Sequence, residues 1–235
     1  MLHPTNATIY MASRSSSSGA SAISEVTASD PSKAENPIFL PLDLMDFHSI
    51  RAAAETFQKR EDKLDVLWNN AGIGGLPTGS KMKQGIEGHM GVNVVGTFLF
   101  TRLLLGCLKR ATRECEKDGV RIVWMTSWMA EGRSPDGGLI QTPGNLQTQA
   151  YRTLAPTTKF SINLLLHPAK LGADTKLFAG LSPSLTSAYQ GAFIVPWGRV
   201  QSRNQREDIY AALEEGRGGE GSGGSGVREL LGRGV

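Results

Sequence analysis

Two amides follow an apolar stretch in the first third of the chain. The run Leu64–Trp68 is predicted to be a β-strand, and Asn69-Asn70-Ala71-Gly72 comes directly after it. Amides suit a polar ligand, and glycine lets that ligand approach the backbone closely because it has no Cβ. Ligands of open α/β sheets bind beyond the carboxyl ends of the strands. The pattern therefore predicts one wall of a binding site at residues 70–72.

Polar residues also follow two earlier predicted strands. Arg14 comes after the strand Ala7–Ser13, and Asp43 lies at the end of the strand Ile38–Leu44. An arginine at the first place can bind an anion, although it could also be a solvated surface residue. A carboxylate at the second can accept a hydrogen bond from a ligand or cap the next turn. Both residues are candidates for ligand binding.

Short apolar strands alternate with helices over most of the chain. Asp46 is predicted to cap a helix from Phe47 to about Arg60, in which apolar residues recur at helical spacing. The other predicted elements are helices at Ala20–Ala28, Ile86–Glu116, Phe160–Leu166, Gly172–Gly180 and Arg206–Glu215, and strands at Arg121–Thr126 and Ala192–Pro196. This alternation favours an α/β fold with a Rossmann-like, doubly wound parallel sheet.

Composition excludes several classes of protein. The chain has 235 residues and a net charge of +3, which is too small to indicate nucleic-acid binding. Cys107 and Cys115 lie eight residues apart in one predicted helix, so they are expected to be free thiols in a reducing, cytoplasmic compartment. No metal-binding spacing, signal peptide or membrane span is predicted. We expect one incomplete nucleotide-binding domain at 1–215 and a Gly/Ser-rich tail at 216–235.

The order of these motifs resembles that of the short-chain dehydrogenases/reductases. Asn70-Ala71-Gly72 matches the NNAG motif, which borders the adenosine in that family, and Asp43 resembles the family's acidic residue that contacts the adenine. Asn93 matches the asparagine that distorts the long helix and serves a proton relay. Ser127 matches the catalytic serine, whose hydroxyl binds the substrate oxygen. The resemblance implies an oxidoreductase that interconverts a ketone and an alcohol on a small molecule.

Further matches concern the cofactor and the source of the chain. Pro143, Gly144 and Thr148 resemble the Pro-Gly-x-x-x-Thr loop beside the nicotinamide. Arg14 stands where NAD-preferring proteins carry an acidic residue, so NADP is expected in preference to NAD. Val195-Pro196-Trp197-Gly198 resembles fungal members near retinol-dehydrogenase-like reductases, which by analogy suggests small-molecule biosynthesis.

Two parts of the family pattern are missing from this sequence. No Thr-Gly-x-x-x-Gly-x-Gly turn precedes the first predicted strand, so the backbone amides that hold the pyrophosphate are not found. None of the four tyrosines has a lysine four residues later, which is the spacing that places an ammonium beneath the phenol. Pro143 lies only 16 positions after Ser127, whereas a helical crossover needs about 30 residues. We therefore expect the catalytic helix and the strand after it to be absent.

These observations leave two hypotheses. The first is an NADP-dependent oxidoreductase acting on a carbonyl or alcohol. The second is a catalytically inactive truncated homologue: a pseudoenzyme, a pairing partner for an intact homologue, or the product of an incorrect gene prediction. Family resemblance also implies a homo-oligomer, although half of the usual helical interface is not found in the sequence.

Overall fold

The computed structural model describes residues 7–29, 37–126, 139–142, 146 and 166–201. Its contacts group into two compact units. Unit 1 comprises Met1–Leu64 and Ala71–Arg110, and unit 2 comprises Asp65–Asn70 and Ala111–Val235. The boundary at residue 70 divides the Asn-Asn-Ala-Gly motif between the two units.

Unit 1 begins with two parallel strands and two helices. Strand β1 (Ile9–Ser13) pairs with β2 (Pro37–Pro41), and the register places Ser13 opposite Pro41. Helix α1 (Ser16–Ser29) follows β1, and α2 (Phe47–Gln58) follows β2. The side chain of Asp46 accepts a hydrogen bond from the backbone N–H of His48, which confirms the predicted cap. The buried residues of α2 recur every three or four positions: Phe47, Ile50, Ala53, Ala54 and Phe57.

A long apolar helix, α3 (Gly88–Ala111), lies in unit 1 except for its last residue. It consists of an α-helical turn at Gly88–Met90, a π-helical turn at Gly91–Gly96 and a regular α-helix at Thr97–Ala111. Its length and mean hydropathy of 1.6 would suit a membrane span, but 61% of its most apolar window is buried within the protein. Burial of this kind is what the core helix of a folded domain shows, which agrees with the sequence expectation.

The described part of unit 2 contains five strands and one helix of 13 residues. Strands β3 (Val66–Asn69), β4 (Arg121–Met125), β5 (Leu139–Gln141) and β6 (Phe193–Val195) pair in parallel, and β7 (Arg199–Gln201) pairs antiparallel with β6. Helix α4 (Ala169–Leu181) packs on this sheet. The core between them is built from Val123, Ala179, Leu185 and Ile194.

The expectation that the strand after the crossover is absent is wrong. Strand β5 lies between β4 and β6 and pairs with both, so no gap separates these two strands. Its three residues are too few to carry a two-residue hydrophobic period, and sheet pairing alone defines it. The connection before it, residues 127–138, lies outside the described residues.

The seven strands pair in two separate sheets, β1-β2 and β3-β4-β5-β6-β7. Strand β3 therefore ends its sheet, and among the described residues no strand pairs with its other edge. The helices predicted at Arg206–Glu215 and, except for Leu166, at Phe160–Leu166 fall outside the described residues, as does the tail 216–235. Neither cysteine forms a disulfide bond.

Candidate functional site

Arg14 and Asp43 follow neighbouring parallel strands at the same edge of the β1-β2 sheet. The register places Ser13 opposite Pro41, and the N–H of Leu42 donates to the carbonyl of Ser13 at 3.0 Å. Arg14 is exposed and makes no hydrogen bond or ion pair with another described residue. Two residues later α1 begins, with the N–H of Ser18 donating to the Ser15 hydroxyl at 3.2 Å. The sheet thus brings a free guanidinium and a carboxylate to its carboxyl edge.

Asp43 also organises the turn that leads into α2. One of its carboxylate oxygens accepts a hydrogen bond from the N–H of Met45 at 2.9 Å. Its own N–H donates to the hydroxyl of Ser49 at 2.9 Å. The turn-capping role that the sequence left open is therefore present. A carboxylate has acceptor capacity for further donors, so the cap does not preclude a ligand contact.

Asn93 holds the backbone that follows the Asn-Asn-Ala-Gly motif. Its side-chain amide donates to the carbonyl of Ile73 at 2.9 Å, and its side-chain oxygen accepts from the N–H of Ile73 at 2.8 Å. A Cβ on Gly72 would lie 3.3 Å from the same oxygen, so this glycine allows the close approach. Ala71 and Gly72 are exposed beside this contact. The amide therefore fixes part of the predicted wall and leaves its surface accessible.

The π-helical turn of α3 determines where Asn93 lies. A single π turn inserts one extra residue into an α-helix, and such turns are frequent at functional sites. The turn spans Gly91–Gly96 and has Asn93 inside it. The sequence predicted a local distortion at this asparagine through the family resemblance. It offered no means of identifying the turn as a π-helix.

A second side chain of α3 contacts the same loop. The ring nitrogen Nε2 of His89 accepts a hydrogen bond from the N–H of Leu76 at 3.3 Å. Its other nitrogen contacts the carboxylate of Glu87 at 2.8 Å. Glu87 also caps the start of α3 by accepting from the N–H of Met90, and these contacts lower its pKa to about 2. Sequence reasoning missed both residues, because neither lies in a motif that we could recognise.

Residues 81–87 form a turn that binds the start of α2. The ammonium of Lys83 donates to the carboxylate of Asp46, and the backbone N–H of Lys83 donates to the carbonyl of Met45 at 3.0 Å. Gln84 reaches the same carboxylate at 3.3 Å. The hydrogen bond from Lys83 is the main reason that the pKa of Asp46 lies below its usual value. The loop before α3 is thus anchored to the helix after β2.

Several predicted site residues lie outside the described part of the chain. These are Ser127, Pro143, Gly144 and Thr148. The adjacent residues are described: half-buried Thr126 follows β4, and buried Thr142 donates its N–H to the carbonyl of Ile194 at 2.9 Å. Asn70 is exposed after β3, with its N–H donating to the carbonyl of Trp68.

Within the described ranges, no group of three or more His, Cys, Asp or Glu residues could hold a metal ion.

Comparison with known proteins agrees with the sequence resemblance. A family model described as short chain dehydrogenase matches residues 1–138. The short-chain dehydrogenase/reductase iacJ of Pestalotiopsis fici is 37% identical over 262 residues, covering 92% of this chain and 80% of the relative. The short-chain dehydrogenase/reductase bet4 of Neocamarosporium betae is 33% identical over 270 residues, covering 94% and 78%.

Solved structures share the fold at low sequence identity. The NADPH-bound carbonyl reductase from chicken fatty liver has a TM-score of 0.58 and 18% identity, covering 83% of this chain and 88% of the other. The Pseudomonas aeruginosa RhlG/NADP complex has a TM-score of 0.60 and 17% identity, covering 80% and 84%. Both likenesses concern the Rossmann-like fold alone.

The lengths of these alignments indicate residues that this chain lacks. The alignment with iacJ has 262 positions, whereas 92% of a 235-residue chain is about 216 residues. Roughly 46 positions of that alignment therefore face a gap in this chain. The short distance from Ser127 to Pro143 is one place where such a gap fits. The matching family model and the identity to these relatives over most of the chain together show that the chain belongs to the short-chain dehydrogenase/reductase family of oxidoreductases.

Proposed function

We propose that this chain binds NADP(H) and derives from an oxidoreductase that interconverts a ketone and an alcohol on a small molecule. The observation that carries the proposal is the arrangement at the carboxyl edge of the β1-β2 sheet. The exposed guanidinium of Arg14 and the carboxylate of Asp43 follow adjacent parallel strands there. The NADPH and NADP complexes among the structural neighbours support the choice of cofactor.

The residues of unit 1 fit the adenosine half of such a cofactor. Arg14 would bind the 2′-phosphate, aided by the amino end of α1, where backbone N–H groups favour an anion. The carboxylate of Asp43 would accept a hydrogen bond from the adenine amino group. Ala71 and Gly72 have little or no side chain, and the Asn93–Ile73 contact holds them beside the ligand.

The catalytic half of the proposal rests on the family resemblance. Bound NADPH would supply a hydride to the substrate carbon. Ser127 would hydrogen-bond the substrate oxygen, Asn93 would serve the proton relay, and Pro143, Gly144 and Thr148 would border the nicotinamide. No tyrosine of the chain has the lysine spacing that would lower its pKa for proton donation.

The second candidate is a homologue that binds the cofactor without turnover. Its support is the sequence itself, since the residues four positions after Tyr10, Tyr151, Tyr189 and Tyr210 are Arg14, Ala155, Phe193 and Glu214. Such a protein could act by pairing with an intact homologue.

Two measurements on the purified full-length chain separate these outcomes. We expect saturable binding of NADPH, followed by its fluorescence, at least tenfold tighter than that of NADH. Absence of saturable binding by folded protein would overturn the cofactor proposal. Loss of NADPH absorbance with a panel of ketones then tests turnover: protein-dependent oxidation supports the enzyme, and binding without oxidation supports the second candidate.

A further inference from the structure

The hydroxyl of Thr97 makes an unusual contact inside α3. It donates to the carbonyl of Val92, five residues earlier, at 2.8 Å, and Thr97 is only 5% exposed. One turn later, Thr101 donates to the carbonyl of Thr97, four residues earlier, at 2.9 Å. The second contact is the ordinary one for a threonine in an α-helix. The first spans the extra residue of the π turn.

The hydroxyl is a donor in addition to the backbone N–H of the same residue. The N–H of Thr97 donates to the carbonyl of Val94, three residues earlier. The carbonyl of Val92 lies in the buried part of the helix and receives the side-chain hydroxyl. The hydroxyl therefore adds a buried hydrogen bond across the π turn, and such a bond contributes about 0.5–1.5 kcal/mol.

Both ends of the π turn are pressed against neighbouring segments of unit 1. A Cβ on Gly96 would lie 2.7 Å from the carbonyl oxygen of Leu44, the residue after Asp43. A Cβ on Gly91 would lie 2.8 Å from the sulfur of Met82. These contacts fix where the turn begins and ends.

We infer that Thr97 is a positioning residue for the wall formed by Ala71–Ile73. Without the hydroxyl of Thr97, we expect α3 to be more stable with regular α-helical hydrogen bonds than with the π turn. A shift of one residue turns a side chain by about 100° around the helix axis. The amide of Asn93 would then leave the backbone of Ile73, and the wall would lose its support. The consequence for NADPH rests on the proposed function, whereas the consequence for Ile73 does not.

Hydrogen exchange of the Ile73 amide tests this inference, because that N–H donates directly to Asn93. Thr97→Val removes the hydroxyl and keeps the shape of the side chain. Thr97→Ser keeps the hydroxyl. Thr101→Val is the matched control, since Thr101 is also buried and makes the ordinary contact one turn away. Exchange is measured on the full-length chain without ligand, and NADPH affinity is measured in parallel.

In Thr97→Val we expect exchange at Ile73 to accelerate by about tenfold, with wild-type exchange in Thr97→Ser and Thr101→Val. Wild-type exchange in Thr97→Val, or equal acceleration in Thr101→Val, would overturn the inference. Should Thr97→Val not fold, Thr97→Ser decides: slow exchange supports the role of the hydroxyl, and fast exchange contradicts it. If exchange at Ile73 accelerates in Thr97→Val but the wild-type protein does not bind NADPH, the positioning role of Thr97 is supported. Only the proposed function is then refuted.

Discussion

The side chain of Asn93 pairs with the backbone of Ile73 through both its donor and its acceptor, at 2.9 and 2.8 Å. Each partner supplies one donor and one acceptor, as paired residues of neighbouring β-strands do. The contact joins two distant parts of the sequence. One partner lies in the π turn of a buried helix, and the other follows the Asn-Asn-Ala-Gly motif. The contact makes the shape of the candidate nucleotide wall depend on the geometry of α3.

Replacing Asn93 by alanine should destabilise the loop and the protein. Both groups of Ile73 lose their partners, and we expect a loss of about 1–3 kcal/mol in the free energy of unfolding. Asn93→Asp is the informative comparison, because a carboxylate still accepts from the N–H of Ile73 but cannot donate to its carbonyl. Urea unfolding checks the order wild type, Asn93→Asp, Asn93→Ala in decreasing stability. Equal stability of all three proteins would contradict the importance of this contact.

Replacing Arg14 by alanine should separate the two nicotinamide cofactors. Charge-assisted hydrogen bonds to phosphate are stronger than neutral ones, and only NADPH carries the 2′-phosphate. We expect the Kd for NADPH to rise about tenfold while that for NADH stays unchanged. Arg102→Ala, which removes another exposed arginine of unit 1, is the control. An equal effect of Arg14→Ala on both cofactors, measured by fluorescence titration, would refute recognition of the 2′-phosphate.

Replacing Gly180 by alanine should destabilise unit 2 although alanine favours helices. A Cβ at this position would lie 2.2 Å from the ring of Trp68, which also donates its N–H to the carbonyl of Lys176. Overpacking of this kind costs about 1–3 kcal/mol. In Gly106→Ala the nearest atom is the end of the flexible Arg110 side chain at 3.5 Å, so the propensity gain of up to about 1 kcal/mol should appear. Thermal unfolding of both variants should shift in opposite directions.

Replacing Arg121 by leucine should weaken the end of α4. The guanidinium donates to the carbonyls of Ser182 and Leu185 at 2.7 and 3.0 Å, and more distantly to that of Ala179 at 3.4 Å. These carbonyls lie at or beyond the last turn of the helix, and that of Ser182 also accepts from the N–H of Leu185 at 3.2 Å. We expect a loss of about 1.5–3 kcal/mol in urea unfolding, with Arg121→Lys losing less. Arg113→Leu, at an exposed arginine, should change stability little. Wild-type stability of Arg121→Leu would show that solvent replaces these contacts without cost.

The Glu87 cap should make the free energy of unfolding depend on pH. Its pKa of about 2 in the folded chain lies below the ordinary value of 4.5. The ionised carboxylate therefore stabilises the folded state above about pH 4.5, and this contribution disappears as the pH falls toward 2. Glu87→Gln should be less stable than wild type at pH 7, with a smaller difference at pH 3. Glu55→Gln, an exposed position on α2, controls for loss of charge. A difference that is the same at both pH values would contradict the role of ionisation.

Local patterns in the sequence were sufficient for the regular elements. Apolar residues spaced for a helix, with a capping aspartate before them, placed the start of α2 at Phe47. Five strands were predicted within three residues of their observed bounds, because short apolar runs between polar residues favour extended structure. The family was recognisable for the same reason, since motifs such as Asn70-Ala71-Gly72 are contiguous in sequence.

Tertiary contacts decided what the local pattern could not encode. Strand β5 is defined by pairing with β4 and β6, so a count of residues between Ser127 and Pro143 led to the wrong expectation. The π turn contains a buried hydroxyl contact and lies close to Leu44 and Met82, and none of these contacts has a sequence period. The sequence by itself determined the family and the residues available for chemistry. Only the fold decided which of them are held in place, because that depends on groups from distant parts of the chain meeting in space.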